Sequence, residues 1–194
     1  MAGIVEKIKG FLFSPSETFD ASKEDTLGDA FKYYLILLPI PALLLAVIFT
    51  LLPLPTWFPR MPAPLAVVFF AVVIYVGNVI VVIINSLWLH IWIYLMGGRK
   101  GLTQTFKALM YGATPFLMLG WIPFIGSLAK IWALIVKIIG IRQLHEISTG
   151  KAVAAVVLAI IIPLVVLFVI LLPAMMPMIP HGHGIIGHYW HKFR

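Results

Sequence analysis

The chain has 194 residues, of which 62% are hydrophobic and 11% are charged, and its mean hydropathy is +1.06. So much apolar sequence exceeds what one soluble core can bury, which excludes an ordinary soluble domain and predicts an integral membrane protein. The sequence contains no cysteine, which excludes disulfides, thiolate catalysis and Cys-ligated metals. The formal net charge of +7 is dispersed over loops, so it does not predict a nucleic-acid partner.

The basic residues are distributed unequally about the apolar segments, and this predicts an orientation. Lys and Arg near a span are retained on the cytoplasmic side, so we expect a cytoplasmic N-terminus and an outside C-terminus. The basic residues on the predicted cytoplasmic side are Lys7, Lys9, Lys23, Lys32, Arg99, Lys100, Lys107, Lys137, Arg142 and Lys151. The sequence therefore predicts a multi-pass membrane protein, located in the cell membrane if the source is prokaryotic.

Residues 1–30 are predicted to form a cytoplasmic amphipathic helix followed by an acidic linker. The apolar residues that recur at helical spacing are Ile4, Val5, Ile8, Phe11 and Leu12. Two placements remain open: the helix lies in the headgroup plane as an interfacial anchor, or it packs on the protein's own cytoplasmic face. Ser14-Pro15-Ser16 is expected to end it, and Thr26 is expected to cap the next helix.

Residues 31–173 are predicted to form a transmembrane domain, so the expected fold class is all-α, a polytopic membrane helical bundle of about five transmembrane helices. The predicted spans lie near residues 31–52, 65–96, 103–120, 126–141 and 152–172. Pro39 and Pro41 are expected to kink the first span. The second span would measure roughly 48 Å against a hydrocarbon core of about 30 Å, so it must tilt or protrude.

The stretch from residue 103 to residue 141 allows two topologies. Its two apolar segments are short for spanning, and they flank the sequence Gly120-Trp121-Ile122-Pro123-Phe124-Ile125-Gly126. They fit two thin spans or a re-entrant hairpin. Both alternatives begin and end on the cytoplasmic side, so the predicted orientation is the same for each.

No catalytic constellation is recognisable, so we expect a non-enzymatic protein without a cofactor. The acidic residues lie outside the central spans, which leaves no buried pair of carboxylates for acid/base chemistry. Within the second span, Asn78, Asn85 and His90 are candidate binding residues, because polar groups in a span are expected to face the bundle. Such a face fits either a polar cavity that contacts a substrate or interhelical hydrogen bonds that fix packing.

Four basic residues in or near the inner loops are candidates for contact with lipid headgroups or with a cytoplasmic partner. They are Arg99, Lys100, Arg142 and Lys151. Their alternative role is to retain the loops on the cytoplasmic side.

Residues 174–194 are predicted to form an outer His-rich tail. Its histidines, His181, His183, His188 and His191, are a weak candidate metal site, because neutral imidazoles bind zinc or copper. The intervening glycines leave the spacing unconstrained, so a solvated tail near the membrane interface is the alternative. No other metal site is predicted.

From Gly97 onward the sequence carries an ordered series of features. They are Gly97-Gly98-Arg99-Lys100-Gly101, Gln104-Thr105-Phe106, Tyr111, Pro115, Trp121-Ile122-Pro123-Phe124-Ile125-Gly126, Trp132, Gly140-Ile141, His145-Glu146-Ile147-Ser148 and Lys151-Ala152. This order resembles the Yip-domain family, the Ypt/Rab GTPase-interacting membrane proteins, and the upstream Ser14-Pro15 and His90 also fit. The resemblance implies a five-span bundle with a cytoplasmic N-terminus and an outer or lumenal C-terminus.

The resemblance also implies a role at membranes. Eukaryotic relatives are tied to vesicle traffic and to prenylated small GTPases, whereas this sequence has Phe19-Asp20-Ala21-Ser22 in place of their Asp-Leu-Tyr-Gly-Pro type of motif and looks more like the prokaryotic branch. The expected function is a membrane scaffold or adaptor that recruits a cytoplasmic partner or organises membrane lipid, with a small GTPase as partner only by family analogy. The alternative is a small transporter or channel subunit, a homo-oligomer that uses the polar face of the second span.

Overall fold

The computed structural model of the chain describes residues 3–52 and 61–175. All regular elements within these ranges are helices, which confirms the all-α fold class. The chain divides into two compact units, of which the first ends at Val157 and the second begins at Leu158. The predicted histidine cluster, His181, His183, His188 and His191, lies outside the described residues.

The helices follow one another with short connections. In chain order they are α1 (Ile4–Phe13), α2 (Pro15–Ala21), α3 (Leu27–Leu37), α4 (Pro39–Leu51), α5 (Ala63–Leu95), α6 (Leu102–Gly112), α7 (Thr114–Leu119), α8 (Ile125–His145) and α9 (Thr149–Met175).

Local sequence signals set several of these boundaries as predicted. Pro15 begins α2 directly after α1 ends, because a helix tolerates a residue without an N–H at its first position. Thr26 caps α3 through a reciprocal pair of bonds: its Oγ1 accepts from the Asp29 backbone N–H at 3.2 Å, and Asp29 Oδ2 accepts from the Thr26 backbone N–H at 2.9 Å. The expected interruption at the first prolines is also present, since α3 ends at Leu37 and α4 begins at Pro39.

Three helical segments in the described ranges are long and apolar enough to cross a membrane. They are Leu27–Leu51, which comprises α3 and α4, Ala63–Leu95 and Thr149–Leu172. They correspond to the predicted first, second and last spans, and they support the prediction of a membrane protein. The segment predicted at 103–120 folds as α6 and α7, and the segment predicted at 126–141 folds as α8. Neither is both long enough and apolar enough to count among these three, so five spans remain a prediction.

Helices α6, α7 and α8 form an antiparallel helical hairpin. Thr105 near the start of α6 contacts His145 at the end of α8, and Gly112 packs on the backbone of Lys137. A Cβ on Gly112 would lie 2.9 Å from Lys137 Cα, so the absence of a side chain allows this close approach. Gly120 and Gly126 meet in the same way at the turn, and we call residues 120–126 the hairpin tip.

The N-terminal helices fold back onto this hairpin through an aromatic cluster of Phe11, Phe19, Tyr33 and Tyr111. The Phe11 ring stacks on Tyr111 with centroids 4.8 Å apart and lies 4.8 Å from Phe19. One side of α1 therefore packs on the protein, while Ile4, Val5 and Phe13 stay exposed. The helix itself is present, and its location in a headgroup plane remains a prediction that these exposed side chains favour.

Candidate functional site

A chain of three polar side chains, of which Thr105 and His145 are buried and His90 is half-buried, joins α5, α6 and α8. Thr105 Oγ1 lies 2.8 Å from His90 Nδ1 and 3.0 Å from His145 Nε2, and the two imidazole centroids are 6.0 Å apart. Thr105 is fully buried and His145 is 2% exposed. The turn after α5 allows this arrangement, because Gly97 at φ 95° and the bond from the Gly98 N–H to the Ile93 carbonyl reverse the chain towards α6.

The hydrogen-bonding capacity of Thr105 assigns the protons in this chain. A hydroxyl has one proton, so it donates to one imidazole and accepts from the other. His145 Nδ1 is buried without a partner, and a lone pair there costs less than an unpaired N–H. The proton of His145 is therefore assigned to Nε2, which donates to Thr105, and Thr105 donates to His90 Nδ1.

Sequence reasoning found only one member of this site. His90 was a candidate, but Thr105 and His145 were recognised only as parts of the family-like series. In the sequence, His90 and Thr105 flank the Gly97-Gly98 turn and His145 ends α8. These positions did not predict that the three side chains contact one another. Thr105 and His145 are 40 residues apart in sequence, and only the antiparallel pairing of α6 with α8 brings them together.

Burial lowers the pKa of the His145 imidazole to about 4, and the neighbouring His90 adds to the effect. A folded-state pKa below the ordinary value of 6.5 means that the folded protein binds fewer protons than the unfolded chain between these values. The contribution of the neutral His145 imidazole to the free energy of unfolding is therefore fully present above pH 6.5 and is lost as the pH falls towards 4. We expect the free energy of unfolding in detergent to fall by about 2 kcal/mol between pH 7 and pH 5 from this group.

The pH dependence can be assigned with a variant that does not titrate. Glutamine is polar and uncharged, so His145→Gln should unfold with a smaller difference between pH 7 and pH 5 than the parent protein. Equal pH dependence in both proteins would show that His145 does not cause the loss of stability. Thermal unfolding followed by circular dichroism supplies the measurement.

The predicted basic residues divide between two places. Arg99 stacks over the Tyr94 ring at 3.6 Å. Lys100 donates a hydrogen bond to the Glu146 carboxylate and forms an ion pair with it, and both interactions hold the pKa of that carboxyl below its usual value. Lys151 Nζ lies beside Gly97, so these three side chains lie at the α5–α6 and α8–α9 loops, close to His145. Arg142 instead reaches α2, where its guanidinium lies 3.4 Å from Ser16 Oγ.

A cleft of about 830 Å³ lies between α1, α2 and the start of α3, and we call it the acidic cleft. Its charged lining consists of Glu6, Glu17, Glu24, Asp25, Asp29, Lys7 and Lys32. The sequence predicted only an acidic linker here, because the return of α1 over α3 and α6 is a tertiary feature.

Three polar contacts tie the wall of the acidic cleft to the hairpin. Lys7 forms an ion pair with Asp25, and the same Asp25 oxygen accepts from the Tyr111 hydroxyl at 2.6 Å. The fully buried Lys107 donates from Nζ to the carbonyl of Lys23 at 2.7 Å. The segment between α2 and α3 is therefore held by side chains of α1 and α6.

The predicted polar residues of α5 have different surroundings in the protomer, and their role as a binding face remains a prediction. Asn78 lines a small cavity, and its Nδ2 donates to the Ile74 carbonyl at 2.8 Å, whereas Asn85 is exposed on the surface of the protomer. The inward strip of α5 at this level is formed by Val82, Ser86, Leu89 and Ile93. Asn85 lies about 40° around the helix from Leu89 and about 60° from Val82, at the edge of the strip, and its side chain is exposed there. Asn78, Asn85 and His90 therefore do not line one cavity in the described chain.

Within residues 3–52 and 61–175, no group of three His, Asp or Glu side chains is arranged to hold a metal ion.

Comparison with known proteins identifies one family. The model of the Yip1 domain matches residues 9–171, which include nearly all of the described helices. No match was found among the curated proteins or among the solved structures.

Proposed function

Because the chain belongs to the Yip1 domain family, we propose that it is a membrane scaffold, related to membrane-trafficking proteins, that recruits a cytoplasmic protein. The proposed orientation places residues 1–30 and the loops at Arg99 and Glu146 in the cytoplasm and the C-terminus outside. The proposed role is non-enzymatic.

The observation that carries this proposal is the acidic cleft in a protein of net charge +7. Its lining has five carboxylates and two ammonium groups, and one of the latter, Lys7, is already paired with Asp25. The negatively charged inner surface of a membrane attracts Arg99, Lys100 and Lys151 but repels this cleft. A protein segment rich in Lys or Arg has the complementary charge, so we propose that the cleft binds a basic segment of the partner.

The cleft has free carboxylates on a braced wall. The carboxylates of Asp25 and Asp29 are engaged by Tyr111 and Thr26, whereas the carboxylates of Glu17 and Glu24 form no hydrogen bond or ion pair with other described residues. The hydrogen bonds of Asp25 and Asp29 fix the shape of the cleft, and the carboxylates of Glu17 and Glu24 remain available to a ligand. Binding to a preformed site has a smaller entropic cost than binding that must first order a loop.

The test combines site-specific photocrosslinking with charge reversal. A photoreactive residue at Ala21, which lines the cleft, is expected to crosslink to a cytoplasmic protein in native membranes. In a Glu17→Lys/Glu24→Lys variant we expect this adduct to fall by about tenfold, which corresponds to a loss of about 1.4 kcal/mol of binding free energy. Identification of the adduct by mass spectrometry would show whether it is a small GTPase.

A control places a single charge reversal outside the lining of the cleft. Glu146 pairs with Lys100 on the opposite loop, and both side chains are about half exposed, so Glu146→Lys should cost little stability and leave the adduct unchanged. An adduct that is insensitive to charge reversal at Glu17 and Glu24, or that contains lipid alone, would contradict recruitment through this cleft.

A further inference from the structure

We propose that two copies of the chain pair through α5, along a ridge formed by Gly77, Val81 and Asn85, with the two Asn85 carboxamides hydrogen-bonded to each other across a twofold axis. The partner at this surface is therefore a second copy of the same protein. The interface lies within the membrane and does not include the acidic cleft, so it adds an assembly to the proposed recruitment of a cytoplasmic protein.

The Asn85 carboxamide has no partner within the described part of the chain. It is exposed on the protomer and forms no hydrogen bond with other described residues. Three other polar side chains of α4 and α5 bond to carbonyls of their own helices: Thr50 to Ala46 at 2.8 Å, Asn78 to Ile74 at 2.8 Å and Ser86 to Val82 at 2.7 Å. Asn85 makes no such bond, so both its donors and its acceptor are unused.

Asn85 lies at a depth where lipid chains surround an exposed side chain. On one side of it along α5, His90 contacts the start of α6, and on the other side Asn78 lines a cavity together with the hairpin tip. Asn85 is ten residues before the end of α5 at Leu95, or about 15 Å, which is half of a hydrocarbon core of about 30 Å. Lipid chains form no hydrogen bonds, so an unpaired carboxamide is far more costly there than in water.

The other described segments offer no side chain that would satisfy this carboxamide. The exposed neighbours of Asn85 on α5 are apolar, namely Val81, Ile84 and Leu87. Residues 158–175 of α9, which belong to the second compact unit, include no hydroxyl, amide or charged side chain. A hydrogen-bond partner for Asn85 is therefore expected from a second protein molecule in the bilayer.

Gly77, on the same helix, indicates how closely that molecule approaches. A Cβ added to Gly77 would meet no side chain and no neighbouring helix within 4 Å among the described residues, so packing inside the protomer does not require glycine there. Glycine is unfavourable within a helix, and in membrane helices it often marks a surface where two backbones come close together. Gly77, Val81 and Asn85 follow one another at intervals of four residues, and Val81 is 53% exposed. They form one continuous ridge on α5.

A second copy fits this ridge because a carboxamide is complementary to itself. The group has donors and an acceptor, so two Asn85 side chains related by a twofold axis each donate to and accept from the other. Both copies insert in the same direction, so their α5 helices run parallel and present the ridge at the same depth. Ridges of this spacing pack with a right-handed crossing angle of about 40°, which places Val81 at the crossing point, between Gly77 and Asn85.

Disulfide crosslinking in native membranes tests this contact, and the chain has no native cysteine to interfere. Val81→Cys should give a disulfide-linked dimer of the full chain on oxidation, because the Cα atoms at the crossing point lie within about 7 Å of each other. Ile80→Cys is the matched control, since Ile80 is 51% exposed but points about 100° away around the helix. Equal dimer yields at the two positions, no dimer at Val81, or an adduct with a different protein there would overturn the proposal.

The strength of pairing is measured by energy transfer between labelled copies of the purified full chain in phosphatidylcholine vesicles, at decreasing protein-to-lipid ratios. Asn85→Leu has a similar volume but no amide, so we expect its dimer to dissociate at a protein-to-lipid ratio about tenfold higher, the effect of losing two interhelical hydrogen bonds. Asn85→Gln keeps the carboxamide and should retain most of the pairing. Dissociation of Asn85→Leu at the same ratio as the parent protein would overturn pairing through Asn85.

Gly77→Leu tests the close approach of the two helices separately from folding. The added side chain meets open space in the protomer but keeps the second helix away, so we expect pairing to weaken by about tenfold or more without a lower melting temperature in detergent. Pairing as strong as in the parent protein would contradict the ridge, and a lower melting temperature would show that Gly77 is needed inside the protomer instead.

The pairing and the recruitment of a partner are tested independently. The crosslinking and energy-transfer measurements involve neither the acidic cleft nor the orientation of the chain. A failure of the pairing therefore leaves recruitment through the cleft standing, and loss of the adduct at Ala21 leaves the pairing standing.

Discussion

Phe11→Ala is expected to release α1 and α2 from the hairpin and to destabilise the folded protein by about 3–5 kcal/mol, the usual cost of truncating a buried aromatic side chain. The Phe11 side chain is fully buried between Phe19 and Tyr111. Its removal leaves a cavity at the centre of the aromatic cluster and also ends the stacking on Tyr111. The acidic cleft loses one wall as a result, because that wall is α1.

A matched control lies two residues further along the same helix. Phe13 is 80% exposed, so Phe13→Ala removes the same side chain from α1 without opening the cluster. Proteolytic protection of residues 3–25 and thermal unfolding in detergent measure the two effects separately. Equal stability and equal protection in the two variants would show that the aromatic cluster does not hold the N-terminal helices.

Thr105→Val is the second substitution for which we expect a large effect, about 2–5 kcal/mol. Valine has nearly the shape of threonine, so the packing is retained while the hydroxyl is lost. Two imidazole nitrogens then lose their hydrogen-bond partner: His145 Nε2, which is buried, and Nδ1 of His90, whose ring is half-buried. Each such group costs about 1–3 kcal/mol.

Thr105→Ser separates the effect of losing the hydroxyl from the effect of losing the methyl group. Serine keeps the hydrogen-bonding atom, so we expect this variant to retain most of the stability that valine loses. Nitrogen chemical shifts of the two imidazoles report the protonated nitrogen in each variant. If valine and serine give the same melting temperature, or if the His145 proton is found on Nδ1 in the parent protein, the proposed hydrogen-bond order is incorrect.

Features that depend on neighbouring residues could be predicted from the sequence. The proline-led start of α2, the Thr26 cap and the break before Pro39 each follow from local backbone chemistry, and all are present. The membrane location follows from hydropathy, because three segments are too apolar for another environment.

Features that depend on which surfaces meet could not be predicted. The spacing of Asn78 and Asn85 gives their angular separation on α5 but does not say which strip of that helix is covered, and Asn85 proved to be exposed. The partners of His90 come from other helices, so no local pattern joined them.

The burial of Phe11 and Phe19 has a consequence for the order of events during synthesis. Their partners include Tyr111 and Gly140, so the pocket for these two rings is completed only when the chain has been made to residue 140. At about 5–20 residues per second, Phe19 waits roughly 6–24 s after it is polymerised. During that interval the rings of Phe11 and Phe19 are unshielded, so chaperones and the membrane surface compete for them.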